Sequence, residues 1–229
     1  MAGDESVPVA VWPDVIVFAG SVPILDRRLL DRLPDDAHVI AADSGLHVAN
    51  TLGVRVDLLV GDLDSADRAL VDAAVARGTL VERHPAEKDA TDLELAFDAS
   101  LARGARRIVL VDGGGDRLDH LLGNLALLAS PAWAGVQIEA YAGKARVAVA
   151  RGGEPPVGII GPPGSLVTLL AAGGPARGIV TEGLRYPLQC EELAPGTTRG
   201  VSNELGDTAG SVRLQDGTLL VVQPFGGVQ

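Results

Sequence analysis

The sequence predicts an α/β protein with a mainly parallel sheet and helices on both faces, followed by a small all-β sandwich domain. Three observations lead to this prediction. Short apolar runs alternate with amphipathic helical segments up to about residue 143, as in parallel sheets covered on both faces. Beyond that point the runs are short, β-rich and separated by glycine and proline. Aromatic residues make up only 3% of the chain, so valine, leucine, isoleucine and alanine must form the core.

This change in sequence pattern near residue 143 separates two domains, and with an N-terminal extension the 229 residues fall into three parts. Residues 1–14 form an N-terminal extension, residues 15–143 an α/β domain and residues 144–229 a β-sandwich domain. Both domains are long enough to bury a core of their own. We therefore expect two folded units that follow each other along the chain.

Six strands and five helices are predicted in the α/β domain. The strands are apolar runs, and three of the helices end at a glycine. The predicted strands are 15–19, 38–42, 58–61, 79–82, 107–111 and 137–141. The predicted helices run from about Ile24 to Leu33, from Leu46 to Gly53, from about Leu70 to Gly78, from the capping box Thr91–Glu94 to Gly104, and from Leu121 to Leu128.

The β-sandwich domain has one strong local signal. Its other predicted strands include 146–149, 165–170 and 178–181. The signal is a pair of runs, 211–215 and 218–222, joined by Asp216-Gly217. Two residues of this type between apolar runs are typical of a β-hairpin. We therefore expect these two strands to pair with each other.

Acidic residues recur where predicted strands end or helices begin. They are Asp43, Asp62, Asp64, Asp89, Asp92 and Asp119. In a parallel sheet the carboxyl ends of all strands lie along one edge, so these acids can meet in one crevice. Each acid alone is also a good helix cap or turn residue, and for Asp89 or Asp92 alone that interpretation is favoured. Their convergence on one edge favours a functional site.

Asp62 and Asp64 are the most informative of these acids. They follow an apolar run and precede Ser65, the expected N-cap of the next helix. On an extended chain, residues two apart point to the same side, so the two carboxylates would face one spot. Close like charges are costly unless a cation lies between them, and oxygen ligands suit Mg²⁺. We expect a Mg²⁺ site here, with a simple polar turn as the open alternative.

A second constellation follows the fifth strand. Three consecutive glycines, 113–115, let backbone N–H groups approach a phosphate, and the next helix presents its positive end. Arg117 can clamp a phosphate with two hydrogen bonds, while Asp119 and His120 can orient it or move a proton. The spacing matches neither common phosphate-binding glycine motif, so a flexible glycine turn remains the alternative.

Charge and composition exclude several classes of function. The whole net charge of −11 lies in residues 1–143, because residues 144–229 carry seven basic and seven acidic side chains. Such a surface is a poor match for nucleic acid, and a nucleotide bound there would need a metal ion. The single Cys190 excludes an internal disulfide, and no signal peptide or membrane-length apolar stretch is visible. We expect a cytoplasmic protein that binds neither nucleic acid nor membrane.

The order of these motifs resembles the thiamine pyrophosphokinase (thiamine diphosphokinase) family. In the first part the resemblance rests on Asp43-Ser44-Gly45, Gly61-Asp62-Leu63-Asp64-Ser65, Lys88-Asp89-Ala90-Thr91-Asp92-Leu93-Glu94, and Arg117-Leu118-Asp119-His120 with Asn124. In the second part it rests on Ser165-Leu166, residues 181–188 and residues 200–204. It extends from about Val15 to Val222, and five or more motifs in the family's order make it specific.

The resemblance implies an α/β catalytic domain and a β-sandwich that helps to bind thiamine, in a homodimer whose active sites lie between subunits. The implied reaction transfers the terminal diphosphate of ATP to the thiamine hydroxyl and releases AMP. The residues implied to hold Mg²⁺ and the transferred phosphates are Asp62, Asp64 and Asp92. Those implied near the phosphates or the nucleotide are Asp43, Ser44, Asp89, Thr91, Arg117, Asp119, His120 and Asn124. Those implied to face thiamine are Tyr186, Ser202 and Asn203, the last two across the dimer.

A mechanism follows from these implied roles. Phosphoryl-type transfer asks a protein mainly for positioning and charge neutralisation. The hypothesis places the metal ion between Asp62, Asp64 and the ATP phosphates while the thiamine hydroxyl attacks the β-phosphorus in line. An aspartate, Asp92 or Asp119, takes the proton. One departure is Asp116, where the family usually has glycine; its carboxylate would either repel phosphate or point away.

Three other functions remain open. A phosphatase with an aspartate nucleophile is suggested by Asp62-Leu63-Asp64-Ser65 after an apolar strand, since it is similar to the Asp-x-Asp motif of such enzymes. In this chain, however, the motif follows the third strand rather than the first. A thiamine or nucleotide sensor without turnover is suggested only by Asp116. A diphosphokinase for another heterocyclic alcohol, such as a pterin, would keep the reaction and change the acceptor.

Overall fold

The computed structural model describes residues 11–20, 27–114 and 117–225, which form fourteen strands in two sheets together with four α-helices. The first part comprises β1 (Asp14–Phe18), a 3-10 helix (Arg27–Arg32), β2 (His38–Ala42), α1 (Gly45–Leu52), β3 (Leu58–Gly61), α2 (Arg68–Ala76), β4 (Leu80–Arg83), α3 (Asp92–Ala102), β5 (Arg107–Asp112), α4 (Leu118–Leu128), a 3-10 helix (Pro131–Trp133) and β6 (Gln137–Ala142). The second part comprises β7 (Ala145–Arg151), β8 (Val157–Ile160), β9 (Leu166–Ala171), β10 (Ala176–Glu182), β11 (Gln189–Leu193), β12 (Asn203–Glu204), β13 (Ala209–Arg213) and β14 (Thr218–Pro224).

The six strands of the first part form a parallel sheet in the order β6-β5-β1-β2-β3-β4. Helices cover both faces, as predicted. On one face α3 and α4 bury Phe97 and Leu128, and on the other α1 and α2 bury Leu46 and Val71. The central strands are apolar along their whole length because both of their faces are covered.

Helix boundaries follow the predicted cues in part. α1 ends at Gly53, whose left-handed φ of 76° terminates it, and Thr91 Oγ1 caps α3 by accepting from the backbone N–H of Glu94. Ser65 is not the cap of α2, because Asp67 accepts from Ala69 and Leu70 instead. No helix in the described ranges is both long and apolar enough to cross a membrane.

The N-terminal region departs from the prediction in detail. Residues 1–10 of the predicted extension and residues 24–26 of the first predicted helix lie outside the described residues. The rest of that helix is a 3-10 helix. Trp12 is 6% exposed and stacks on His38 with ring centroids 4.5 Å apart, so residues just before β1 contribute to the core.

The large sheet continues into the second part of the chain. β7 pairs with β6 in the antiparallel direction, and the order then runs β7-β14-β9-β12 with antiparallel pairing throughout. The ten-stranded sheet is therefore mixed, and the prediction of a mainly parallel sheet holds only for β1 to β6. The cause is the short turn at Gly143 and Lys144, since a turn of that length can join only antiparallel neighbours.

A separate antiparallel sheet, in the order β11-β10-β13-β8, covers one face of this extension. The space between the two sheets is filled by aliphatic side chains. Those less than 3% exposed include Ile159, Val167, Leu169, Ile179, Val212, Leu219 and Val221. The second part thus forms the predicted sandwich, and one of its two layers is the continuation of the large sheet.

The predicted hairpin at Asp216-Gly217 is wrong. β13 pairs with β10 and β8, whereas β14 pairs with β7 and β9, so the two strands belong to different sheets. Gly217 has a φ of 87°, and a Cβ there would lie 2.4 Å from the carbonyl oxygen of Pro175. The chain crosses between layers at this close approach because Val212 and Leu219 must enter the same core from opposite sides.

Candidate active site

The carboxylates predicted at the strand ends converge. Asp43 follows β2, and Asp62 and Asp64 follow β3, its parallel neighbour. One carboxylate oxygen from each of the three residues lies within 4.8 Å of the others. Neighbouring parallel strands end on the same edge, and this places the three residues together. We call these three residues the acid cluster.

A turn, not an extended strand, produces this convergence. β3 ends at Gly61, and Leu63 adopts a left-handed φ of 65°. The backbone N–H of Asp64 donates to Asp62 Oδ1 at 3.1 Å, which closes the turn. Asp43 is also left-handed, with a φ of 45°. Left-handed backbone costs a non-glycine residue roughly 1–2 kcal/mol, and such strain is characteristic of functional sites.

Asp43 is electrostatically unsatisfied. Its Oδ1 is buried and has no hydrogen-bond partner among the residues that the structure describes. Burial raises the pKa of Asp43, and the negative charges of Asp92, Asp62 and Asp64 raise it further, against the lowering effect of a backbone hydrogen bond at Ser44. A cation at this position would compensate both the charge and the missing partner.

Lys88 and Asp92 complete the charged surroundings. Lys88 Nζ lies 3.3 Å from Asp62 Oδ2 and 3.0 Å from Asp92 Oδ1, and its side chain is only 15% exposed. A Cβ on Gly61 would lie 3.0 Å from Asp92 Oδ1 and 3.3 Å from the Cβ of Asp43, so glycine allows both acids to approach β3. Sequence reasoning did not select Lys88 as a site residue. Lys88 is the first residue of the motif 88–94 on which the family resemblance partly rests, but that motif gave it no role of its own.

A cleft of about 300 Å³ opens beside the acid cluster, between the ends of β1 and β2 and the first turns of α3 and α4. Its lining includes seven of the predicted site residues, Asp43, Ser44, Thr91, Asp92, Asp119, His120 and Asn124. It also includes the apolar side chains of Ala19, Ala42, Leu93 and Leu127. Two helix N-termini therefore face one partly apolar cleft, and four acids, Asp43, Asp92, Glu94 and Asp119, also line it, so an anionic ligand bound there would need a cation beside it.

Asp112 orders the glycine loop, and sequence reasoning missed it. This residue ends β5, is 3% exposed, and accepts hydrogen bonds from the backbone N–H of Gly114 at 3.0 Å and from Asn124 Nδ2 at 2.8 Å. Its carboxylate thus connects the loop to α4. Gly115 and Asp116 lie outside the described residues, so the predicted effect of Asp116 remains a prediction.

Arg117 and Asp119 are paired with each other at the rim of the cleft. Arg117 donates through Nε at 3.2 Å and through Nη2 at 2.6 Å to the two Asp119 oxygens, and both side chains are about two-thirds exposed. The guanidinium lowers the pKa of Asp119 to about 2. The predicted phosphate-binding role of Arg117 requires this exposed pair to open.

The remaining predicted residues lie elsewhere. Asp89 is exposed in the loop before α3. Tyr186, Ser202 and Asn203 lie beside β12, at the opposite edge of the large sheet. Seven strand spacings of about 4.8 Å separate β12 from β2, a path of roughly 34 Å measured along the sheet.

The residues beside β12 form a small ordered group. Asn203 Nδ2 donates to the carbonyl oxygen of Tyr186 at 2.7 Å, and its Oδ1 accepts from the backbone N–H of Tyr186 at 3.1 Å. Arg185 lies over the Tyr186 ring at 5.5 Å and pairs with Glu204 at 2.7 Å. The Tyr186 side chain itself is 56% exposed. Asn203 therefore fixes the backbone that presents an aromatic ring to the surface.

Comparison with known proteins agrees with this architecture. The family model for the catalytic domain of thiamin pyrophosphokinase matches residues 30–140, and the model for its vitamin B1 binding domain matches residues 160–219. Thiamine pyrophosphokinase of Bacillus subtilis is 25% identical over 197 residues, which are 80% of this chain and 86% of that protein.

Solved structures give the same result. The crystal structure of thiamine pyrophosphokinase from Bacillus subtilis superposes with a TM-score of 0.80 at 24% identity, covering 93% of this chain and 99% of that one. The thiamin pyrophosphokinase of Geobacillus thermodenitrificans has a TM-score of 0.76 at 27% identity, with 93% and 98% covered. Both family models match in chain order, and the acid cluster and most of the residues that line the cleft lie within the first match. This chain belongs to the thiamine pyrophosphokinase family.

Proposed function

We propose that this protein transfers the diphosphate group of ATP to the hydroxyl of thiamine, forming thiamine diphosphate and AMP. The observation that carries this proposal is the acid cluster beside the cleft, which Asp43 also lines, in a chain that belongs to the thiamine pyrophosphokinase family. Transfer of a diphosphate requires charge neutralisation and in-line positioning. The family favours this reaction over that of a phosphatase with an aspartate nucleophile.

The acid cluster has the properties of a Mg²⁺ site. Its donors are carboxylate oxygens, the ligands that Mg²⁺ prefers. Asp43 Oδ1 has no hydrogen-bond partner, and the crowded negative charges need a cation. Asp43, Asp62 and Asp64 would hold the ion, with Asp92 at its side. A bound Mg²⁺ supplies neutralisation of the phosphate charge.

The cleft offers the nucleotide a polar and an apolar part. The first turns of α3 and α4 direct backbone N–H groups and their positive dipole ends toward it, which favours phosphate. Ser44, Thr91 and Asn124 add hydrogen-bonding groups, and Leu93 and Leu127 provide apolar contact. His120 lies at the start of α4 beside the cleft, where its imidazole can receive a proton, whereas the pair with Arg117 makes the Asp119 carboxylate a weaker base.

Thiamine recognition by Tyr186, Ser202 and Asn203 is best met by a second copy of the chain, because in their own chain these residues lie seven strands away from the acid cluster. A homodimer with shared sites would bring them together. The exposed leucines of α4 support this arrangement, since Leu118 and Leu122 are 65% and 58% exposed on one helical face beside the cleft. This face is the expected contact for the partner copy.

The reaction is tested by incubating the protein with Mg²⁺, ATP and thiamine and separating the products by chromatography. We expect AMP and thiamine diphosphate to appear in equal amounts. ADP or free phosphate without thiamine diphosphate would contradict the proposal. A pterin alcohol in place of thiamine serves as the matched acceptor control.

The shared site is tested by mixing two inactive variants. Asp64→Asn removes a ligand of the acid cluster, and Tyr186→Ala removes the exposed ring from the other edge. In a homodimer with sites between subunits, mixed dimers contain one intact site, so about a quarter of wild-type activity should return. Failure of the mixture to regain activity after subunit exchange would contradict a shared site.

A further inference from the structure

Lys88 occupies a position that a metal ion would share. Asp62 has two carboxylate oxygens, and both have partners: Oδ1 accepts from the backbone N–H of Asp64, and Oδ2 faces Lys88 Nζ at 3.3 Å. The backbone contact is held by the left-handed turn at Leu63. A metal ion that binds Asp62 through Oδ2 would therefore share that oxygen with the lysine, whereas Oδ1 is also held by the turn.

The ammonium is held as a cation in this position. Its Nζ lies 3.0 Å from one carboxylate oxygen of Asp92 and 3.3 Å from one of Asp62, and two adjacent negative charges favour the protonated form of a lysine. Two cations on one carboxylate repel each other strongly at such distances. Lys88 therefore stabilises the acids before a metal ion arrives and opposes its arrival.

The residue type fits an exchangeable contact. The chain contains two lysines, Lys88 and Lys144, against 17 arginines. An arginine would hold a carboxylate with a rigid two-pronged contact. A lysine carries a compact charge on a flexible four-carbon stem, so it can leave one oxygen and reach another. Asp92, its second partner, opens α3 at the cleft, and that contact keeps the ammonium close to where phosphates would lie.

We propose that Lys88 is an exchangeable cation of the active site: it neutralises Asp62 and Asp92 before substrates bind, then leaves Asp62 and donates to a phosphate oxygen of the metal-bound nucleotide. The proposal rests on the proposed function for the identity of the nucleotide. Under this proposal the Lys88 ammonium contacts either Asp62 or the phosphate, but not both at the same time. Removal of the ammonium should consequently change two affinities in opposite directions.

The test compares wild type with Lys88→Met by isothermal titration calorimetry. With Mg²⁺ alone, we expect the variant to bind about tenfold more tightly, because a competing charge has been removed. With a non-hydrolysable ATP analogue at saturating Mg²⁺, we expect it to bind about tenfold more weakly, because a charge-assisted hydrogen bond to phosphate has been lost. Lys144→Met, which removes the exposed second lysine, should change neither affinity.

Other outcomes overturn the proposal. If Lys88→Met weakens both affinities, the lysine merely holds the acids in place, and if neither changes, it has no part in binding. Lys88→Arg keeps the charge and guards against loss of fold; it should bind Mg²⁺ alone no more tightly than wild type. Neither titration contains thiamine. Opposite changes without any thiamine diphosphate formation would therefore refute the proposed function and leave the role of Lys88 standing.

Discussion

The polar side chains at the two ends of the large sheet differ in how far the protein itself satisfies their charges and hydrogen bonds. At the carboxyl ends of β2 and β3, three carboxylates crowd together and Asp43 Oδ1 has no hydrogen-bond partner. Beside β12, both side-chain polar atoms of Asn203 bond to the backbone of Tyr186. The carboxylates of the first region need a cation to balance their charge. The polar atoms of Asn203 in the second region already have hydrogen-bond partners within the protein. Substitutions in the first region should therefore affect chemistry more than stability, and those in the core of the β-sandwich, away from Tyr186, should affect stability more than chemistry.

The largest effect is expected from Asp64→Asn in the acid cluster. Asp64 is exposed, and its side chain accepts only from the neighbouring Ser65 hydroxyl at 3.0 Å among the contacts of the described chain. Loss of one metal ligand should lower kcat for thiamine diphosphate formation by at least about 100-fold, with an unchanged urea midpoint. Asp98→Asn, an exposed acid within α3, is the control and should remain active. Near-normal turnover of Asp64→Asn would remove this residue from the metal site.

In the sandwich, Gly217→Ala should cost stability without touching the active site. Its φ of 87° is unfavourable for alanine, and the new Cβ would lie 2.4 Å from the Pro175 carbonyl oxygen. We expect a loss of about 3 kcal/mol in the free energy of unfolding, measured by urea titration. Gly153 has a similar φ of 78° with nothing within 4 Å of its Cβ, so Gly153→Ala should cost only about 1 kcal/mol. Equal costs at the two positions would contradict the close crossing between sheets.

Asp43→Asn should make the metal-free protein more stable while lowering its activity. The folded state raises the pKa of Asp43, so it disfavours the ionised form. The resulting destabilisation is absent below the usual pKa of 3.8, grows as the pH rises through the window up to the raised pKa, and is complete near neutral pH. We expect the variant to gain about 1 kcal/mol near neutral pH, measured by urea unfolding, and this gain should shrink in acid.

Metal addition provides the control for that prediction. Mg²⁺ binds only the folded site, so it should stabilise wild type more than Asp43→Asn. Removal of Mg²⁺ with a chelator should restore the original order. A variant that is less stable than wild type under metal-free conditions would show that Asp43 is not under electrostatic stress.

The smallest effect on stability is expected from Arg117→Met. The Arg117–Asp119 pair is about two-thirds exposed, and such pairs contribute little to folding. The melting temperature should not change measurably, and the pKa of Asp119, followed by NMR, should rise from about 2 toward its usual 3.8. If Arg117 binds phosphate, the KM for ATP should increase about tenfold while kcat for bound substrate changes less. An unaltered KM would limit Arg117 to the surface pair.

Much of the fold was predictable because it depends on short patterns. Strands β1, β2, β3 and β5 of the first part are local apolar runs, and Gly53 ends α1 through its own backbone freedom. The hairpin prediction failed because Asp216-Gly217 describes only a turn. The pairing of β13 and β14 depends on how Val212 and Leu219 are buried. The residues that pack against these two side chains are distant in sequence.

The site shows the same division. The sequence alone determined which acids end the strands and, through the order of its motifs, the family to which the chain belongs. Only the tertiary structure decided that Asp62 and Asp64 meet through a left-handed turn, that Lys88 contacts two acids, and that Tyr186 lies at the far edge of the sheet. Patterns and motifs are properties of neighbouring residues. Convergence and separation depend instead on long-range strand pairing and on the burial that stabilises it.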